Sequence, residues 1–85
     1  MKLDIFAIRD IKAQTYGNPS YFTYKGEAIR AFQDIMSNPN APFIKHPEDY
    51  ELFKLGSIDD NTGELIGMKM PEFIIKATDF ANKKG

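Results

Sequence analysis

The spacing of apolar side chains changes along this chain, and that change limits the possible folds more than any other feature. In residues 26–38 (GEAIRAFQDIMSN) the apolar positions recur at the intervals of one helical face. They are Ala28, Ile29, Phe32, Ile35 and Met36. Glu27 lies in the first turn, where the helix dipole favours a negative charge, and Pro39 disfavours helical geometry at Asn38. The pattern predicts one amphipathic helix over residues 26–38.

Residues 1–10 (MKLDIFAIRD) show the alternation that is typical of a β-strand. Alternate side chains from Leu3 to Ala7 share one face, which we expect to meet the core. The opposite face is only partly polar because it includes Phe6 and Ile8. We therefore expect Phe6 and Ile8 to remain unburied on the outer face of a sheet.

A second, shorter strand is predicted after a turn. Gly17, Asn18 and Pro19 form the turn signal, and the aromatic and β-branched residues 21–25 (YFTYK) follow it. Residues 38–47 (NPNAPFIKHP) contain three prolines and predict a loop.

Two apolar runs, residues 49–59 (DYELFKLGSID) and 64–70 (ELIGMKM), predict an antiparallel hairpin. The connection between them is rich in oxygen ligands, so a calcium loop of the EF-hand type is one interpretation. Such a loop needs glycine at its sixth position, and counting from Asp59 that position is Glu64. A turn fits better, since Asp59 favours its opening and Gly63 can supply a positive φ.

The last segment, residues 71–85 (PEFIIKATDFANKKG), predicts a C-terminal helix. Pro71 suits a first helical position, and apolar residues again follow at helical intervals. They are Phe73, Ile74, Ala77, Phe80 and Ala81. The β-branched Ile74, Ile75 and Thr78 leave a strand open as the alternative.

These elements together predict one α+β domain over residues 1–85. We expect a small antiparallel sheet of about four strands, with the 26–38 helix packed on one face and a short C-terminal helix. A chain of 85 residues buries only a modest core. A homodimer is therefore expected.

Charge and cysteine content exclude several classes of protein. Eleven basic and twelve acidic residues give a net charge of -1. That balance argues against strong non-specific duplex binding, which needs a basic excess, but not against a local single-strand site. The absence of cysteine excludes disulfides and Cys-ligated zinc. No apolar run approaches the ~18 residues of a membrane span, and the first ten residues are too charged for a secretory signal.

The chain shows no set of residues suited to enzyme chemistry. His46, the only histidine, lies in a polar loop where a solvated side chain is expected. The sequence lacks a nucleophile–base set, a phosphate-binding glycine loop and a dinucleotide-binding fingerprint. We expect no catalytic site, no cofactor and no metal site.

One group of residues has the composition of a single-stranded-DNA site. Aromatic side chains interleave with cations, and such surfaces stack bases and neutralise phosphates. The predicted contacts are Lys12, Tyr16, Tyr21, Tyr24, Lys25 and Arg30. Alternatively, the aromatic residues belong to the core or to a dimer interface, where aromatics are also common. The candidate interface residues are Phe6, Ile8 and Phe22.

The order of four segments resembles a known family. The segments are MKLDIFAIRD, GEAIRAFQDIMSNP, HPEDYELFKLGSIDDNTGEL and PEFIIKATDF. They resemble the small nonstructural protein of gokushovirus-type microviruses, tailless phages with circular single-stranded DNA genomes. The resemblance implies a DNA-binding protein that acts in genome replication, in the cytoplasm of the infected bacterium. It carries no site residues onto this chain.

Two functional hypotheses follow. The first is a phage nonstructural protein that binds single-stranded DNA and assists or regulates genome replication or the switch to single-strand synthesis. A net charge of -1 does not fit a packaging protein that coats DNA, so a replication or regulatory role is the better match. The second is a dimeric protein-interaction module without DNA affinity, which binds a phage replication or capsid protein or a host factor.

Overall fold

The computed structural model describes residues 1–38, 40 and 45–81. In these residues the chain forms five strands, two α-helices and one short 3-10 helix. The strands are β1 (Lys2–Asp10), β2 (Thr15–Tyr16), β3 (Ser20–Phe22), β4 (Tyr50–Asp59) and β5 (Leu65–Lys76). The helices are α1 (Lys25–Met36), α2 (Thr78–Ala81) and the 3-10 helix Pro47–Asp49. Half of the predicted proline loop (residues 39 and 41–44), and residues 82–85 of the predicted C-terminal helix, lie outside the described residues.

The strands form one antiparallel sheet with β1 near its centre. β4 pairs with β1 over its whole length, and β5 pairs with the far side of β4. On the other edge of β1, β2 and β3 pair with its two ends in turn. They therefore act as one interrupted strand, and the expected α+β fold with about four antiparallel strands is confirmed.

The core lies between the sheet and α1. Phe6 of β1 and Phe32 of α1 are each only 1% exposed, and they are the largest fully buried side chains. Four other residues complete the buried cluster: Ala28, Met36, Leu52 and Ala77. The predicted helix is confirmed within one or two residues at each end. The Oε1 atom of Glu27 accepts a hydrogen bond from the Tyr24 N–H at 3.2 Å, which caps the first turn.

The predicted orientation of β1 is wrong. Phe6 and Ile8 point toward α1, and Phe6 is part of the core. Ile5 and Ala7 are buried as well, but they lie on the opposite face and outside the core cluster. Both faces of this strand are apolar, so its alternation shows which residues share a face but not which face the helix covers.

The predicted hairpin and its turn are confirmed. β4 and β5 are joined at Asp59–Gly63, where the Gly63 N–H donates to the Asp59 carbonyl at 2.7 Å. The Asn61 N–H donates to Asp59 Oδ1 at 2.8 Å, and Gly63 has a φ of 79°. A side chain that accepts from the backbone two residues on is a standard turn device, and glycine tolerates the positive φ.

The helix predicted to begin at Pro71 is wrong, because β5 continues through this residue to Lys76. Residues 68–71 lie between the paired positions Gly67 and Glu72 and have no partner in β4. The missing N–H of Pro71 therefore costs no ladder hydrogen bond, and β5 is an edge strand that tolerates proline. The short C-terminal helix of the predicted fold is confirmed, but it is α2, four residues long, and not a helix from Pro71.

Candidate functional site: the outer face of the sheet

α1 and Phe80 of α2 pack against the core on one face of the sheet, and we call the opposite face the outer face. Directly opposite residues of an antiparallel pair lie on the same face, so the strand registers define its members. The apolar members include Leu3, Ile5, Ala7, Ile58 and Leu65. The aromatic and charged members include Arg9, Tyr16, Tyr21, Glu51, Phe53, Phe73 and Lys76.

Three aromatic rings cross the outer face from β2 to β5, and we call them the aromatic row. The ring centroids of Tyr16 and Phe53 are 5.7 Å apart, and those of Phe53 and Phe73 are 5.8 Å apart. Both contacts are edge-to-face, a favourable geometry for aromatic pairs. On β1, which lies between β2 and β4, Arg9 is directly opposite Tyr16 and Ala7 is directly opposite Phe53, so the two rings meet diagonally across β1. Tyr16 is 37% exposed and Phe73 47%, so the two outer rings reach solvent.

A second line of residues on this face is charged, and we call it the charged row. Arg9 of β1 is directly opposite Glu51 of β4, which in turn is opposite Lys76 of β5. The guanidinium carbon of Arg9 lies 5.0 Å from the ring centroid of Tyr16, a cation–π contact. Within the described part of the chain, none of these three charged groups forms an ion pair. The outer face thus combines exposed rings with two unpaired cations.

The structure separates the six predicted DNA-contact residues. Tyr16 and Tyr21 are on the outer face, and both are exposed. Lys12 is exposed in the connection between β1 and β2. The other three lie at α1: Tyr24 precedes its first residue, and Lys25 and Arg30 are exposed on it. The six residues therefore do not form one surface.

The three candidate interface residues lie on the covered face. Phe6 is buried beneath α1, and its ring packs edge-to-face against Phe22 at 6.1 Å. Ile8 and Phe22 are half-buried against the same core. They also line a small apolar depression of about 90 Å³ between α1 and the sheet. The expectation that Phe6 and Ile8 are unburied on the outer face is wrong, because α1 packs against the side that carries them.

Sequence reasoning missed Arg9, Phe53 and Phe73 as surface residues. The alternation of residues 49–59 places Phe53 on the other face of its strand from Leu52, which indicates that only one of the two lies in the core. For Phe73 the sequence gives no such indication, because the apolar spacing around it predicts a helix. Only the strand registers bring these residues into line with Tyr16.

β5 presents a further apolar surface at the edge of the sheet. Its residues are exposed from Leu65 through Phe73. The large apolar side chains among them are Leu65, Ile66, Met68, Met70 and Phe73. Met70, at 78%, is the most exposed of these. Exposed apolar groups that cluster in this way are typical of a binding surface.

One cluster of possible metal ligands lies apart from the outer face. Ligand atoms of His46, Glu48 and Asp49 lie within 4.8 Å of one another. His46 Nδ1 is 3.5 Å from Glu48 Oε2, and both side chains are largely exposed. Exposed acidic groups often lie together without an ion, so this cluster does not define a metal centre.

None of the helices in the described residues is long and apolar enough to cross a membrane.

Comparison with known proteins assigns the family. The chain is a small α+β protein with exposed aromatic side chains on one face of its sheet. A family model described as Phage ORF5 protein matches residues 3–80. The chain therefore belongs to the phage ORF5 protein family, and it is a phage accessory protein. No curated protein and no solved structure matches it.

Proposed function

We propose that this phage protein binds single-stranded DNA on its outer face and assists genome replication or the switch to single-strand synthesis. The setting we propose is the cytoplasm of a bacterium infected by a gokushovirus-type microvirus. The observation that supports this proposal best is the aromatic row, in which rings from β2, β4 and β5 line up across the outer face and the two outermost rings are exposed. Aromatic rings on such a surface stack bases without regard to sequence.

The geometry of the aromatic row suggests how bases would be held. Phe53 is the least exposed of the three rings and contacts both others edge-to-face. It fixes Tyr16 and Phe73 on either side of it, and these two rings are the ones open to solvent. We assign base stacking to Tyr16 and Phe73 and the positioning of both to Phe53.

The electrostatics of the face predict moderate affinity. Arg9 and Lys76 are the cations of the charged row, and Glu51 lies between them. Two phosphate contacts to a single strand give a slope of about -1.4 in log affinity against log salt. Such a shallow slope suits a replication accessory that must leave the strand, and it agrees with the net charge of -1.

The test is fluorescence anisotropy of a labelled single strand of about 30 nucleotides, with a duplex of the same sequence as control. We expect binding that prefers the single strand and weakens with salt. Tyr16→Ala and Phe73→Ala should each weaken it about fivefold or more, since a stacked base contributes ~1–3 kcal/mol. Tyr24→Ala is the matched control: it removes an exposed tyrosine that lies off the outer face.

Two outcomes would count against the proposal. Absence of binding at micromolar protein and low salt would remove DNA as the ligand. Equal losses in Tyr24→Ala and Tyr16→Ala would show that the outer face is not the site.

The alternative function is a dimeric protein-interaction module that binds a phage replication or capsid protein or a host factor. The exposed apolar side chains of β5 favour it, because an unpaired strand edge can add a strand from another chain. Light scattering over a range of concentrations tests the dimer. On this alternative, Met70→Glu yields monomers and DNA affinity is absent from wild type as well.

A further inference from the structure

The charged row of the outer face places one carboxylate between two cations. Arg9, Glu51 and Lys76 stand side by side on β1, β4 and β5. Neighbouring strands are about 4.8 Å apart, so the two cations are separated by roughly two strand spacings, with the carboxylate between them. Glu51 is half-buried, and its carboxylate makes no hydrogen bond or ion pair within the described residues.

We infer that Glu51 limits the affinity of the outer face for nucleic-acid phosphates, and that Arg9 and Lys76 bind those phosphates on either side of it. The inference rests on the proposed function, since it concerns the same face and the same ligand. Phosphates that reach Arg9 and Lys76 must pass near the carboxylate of Glu51, because it lies between them on one face. Like charges at that distance repel, and the repulsion weakens binding.

Within the part of the chain that the structure describes, Glu51 forms no ion pair that would stabilise the sheet, so its carboxylate acts on the ligand instead. A carboxylate that stabilised the sheet would form an ion pair with a neighbouring cation, as Asp4 does with Lys54 at 3.3 Å on the covered face. Glu51 has a cation directly opposite on each side and pairs with neither. Arg9 instead stacks on Tyr16. Its guanidinium is therefore held beside the aromatic row, where a phosphate of a stacked strand can reach it.

The test compares two variants that change the net charge equally. Glu51→Gln removes the carboxylate of the charged row, and Asp34→Asn removes an exposed carboxylate from α1. In anisotropy titrations with the 30-nucleotide single strand at low salt, Glu51→Gln should bind about three- to tenfold more tightly than wild type. Asp34→Asn should stay within about twofold of wild type. The gain should vanish at 1 M salt, where screening extends only ~3 Å.

A second pair keeps the test informative if Glu51→Gln does not fold, which circular dichroism will show. Lys76→Gln should weaken binding about three- to tenfold and make the salt slope shallower by about 0.7, the contribution of one phosphate contact. Lys45→Gln, an equal charge change at an exposed lysine outside the strands, should do neither.

The outcomes separate this inference from the proposed function. If wild type binds the single strand but Glu51→Gln and Asp34→Asn have equal affinities, the inference is wrong and the proposed function stands. Equal effects of Lys76→Gln and Lys45→Gln would overturn it in the same way. If neither wild type nor Glu51→Gln binds, both the inference and the proposed function are wrong.

Discussion

At the scale of single residues, Gly56 shows the tightest constraint in the sheet. A Cβ atom added to Gly56 would collide with the backbone carbonyl of Ile66 on β5 and lie 3.0 Å from the Gly67 Cα. Backbone atoms of a paired strand cannot move aside as a flexible side chain can. Gly56 therefore permits the close approach of β4 and β5.

We expect Gly56→Ala to lower the free energy of unfolding by about 1–3 kcal/mol, as overpacking does elsewhere. Gly67→Ala is the matched control, because Gly67 is directly opposite on β5 and an added Cβ there meets nothing within 4 Å. Urea denaturation of both variants checks this. Similar stabilities for the two variants would contradict the close approach.

Asp59 makes a pH-dependent contribution to the hairpin turn. The hydrogen bond from the Asn61 N–H holds the pKa of its carboxyl below the ordinary value, and the positive charge of Lys2 acts in the same direction. A carboxyl whose pKa is lower in the folded state stabilises the fold above its unfolded pKa of about 3.9. That contribution is lost as the pH falls through the folded pKa.

Asp59→Asn keeps an oxygen that can accept the Asn61 N–H but cannot ionise. We therefore expect wild type to exceed Asp59→Asn in unfolding free energy at pH 6 and to lose part of that advantage at pH 3. Urea denaturation at the two pH values measures the difference. A constant difference between wild type and variant at both values would show that the ionised carboxylate contributes nothing to the turn.

At the scale of elements, α1 and the first half of β5 could be predicted from the sequence, and the second half of β5 could not. Ala28, Phe32 and Met36 are spaced so that only a helix buries them together, and they are buried. In β5 the apolar residues after Pro71 fit a helix equally well by spacing. This segment is a strand because it pairs with β4, and that pairing joins residues that are far apart in the sequence.

The stripe of α1 allows a direct comparison of two positions three residues apart. Phe32 is fully buried and contacts the Phe80 ring at 5.6 Å, whereas Ile35 is 40% exposed. We expect Phe32→Ala to cost about 3–5 kcal/mol of unfolding free energy. Ile35→Ala should cost under about 1 kcal/mol. Thermal unfolding followed by circular dichroism distinguishes them, and equal losses would show that α1 packs in a different rotation.

At the scale of the whole molecule, the sequence predicts the α+β architecture but not the site. The large apolar and aromatic members of the outer face come from all five strands, so no local pattern unites them. The predicted aromatic cluster was local, drawn from residues 12–30, and the structure divides it between the sheet and α1. A surface built by strand pairing appears only once the registers are known.

We propose that single-stranded DNA binds the outer face and not the face covered by α1. The most direct measurement is an NMR titration of the methyl-labelled protein with a single strand of about ten nucleotides. Ala7 and Ala28 are matched probes, since both are buried, one beside the aromatic row and one on α1. We expect the methyl signal of Ala7 to shift while that of Ala28 does not, and the ring signals of Tyr16 and Phe73, observed with aromatic labelling, to shift as well. Shifts at Ala28 without shifts at Ala7, or no shifts at all, would contradict this proposal.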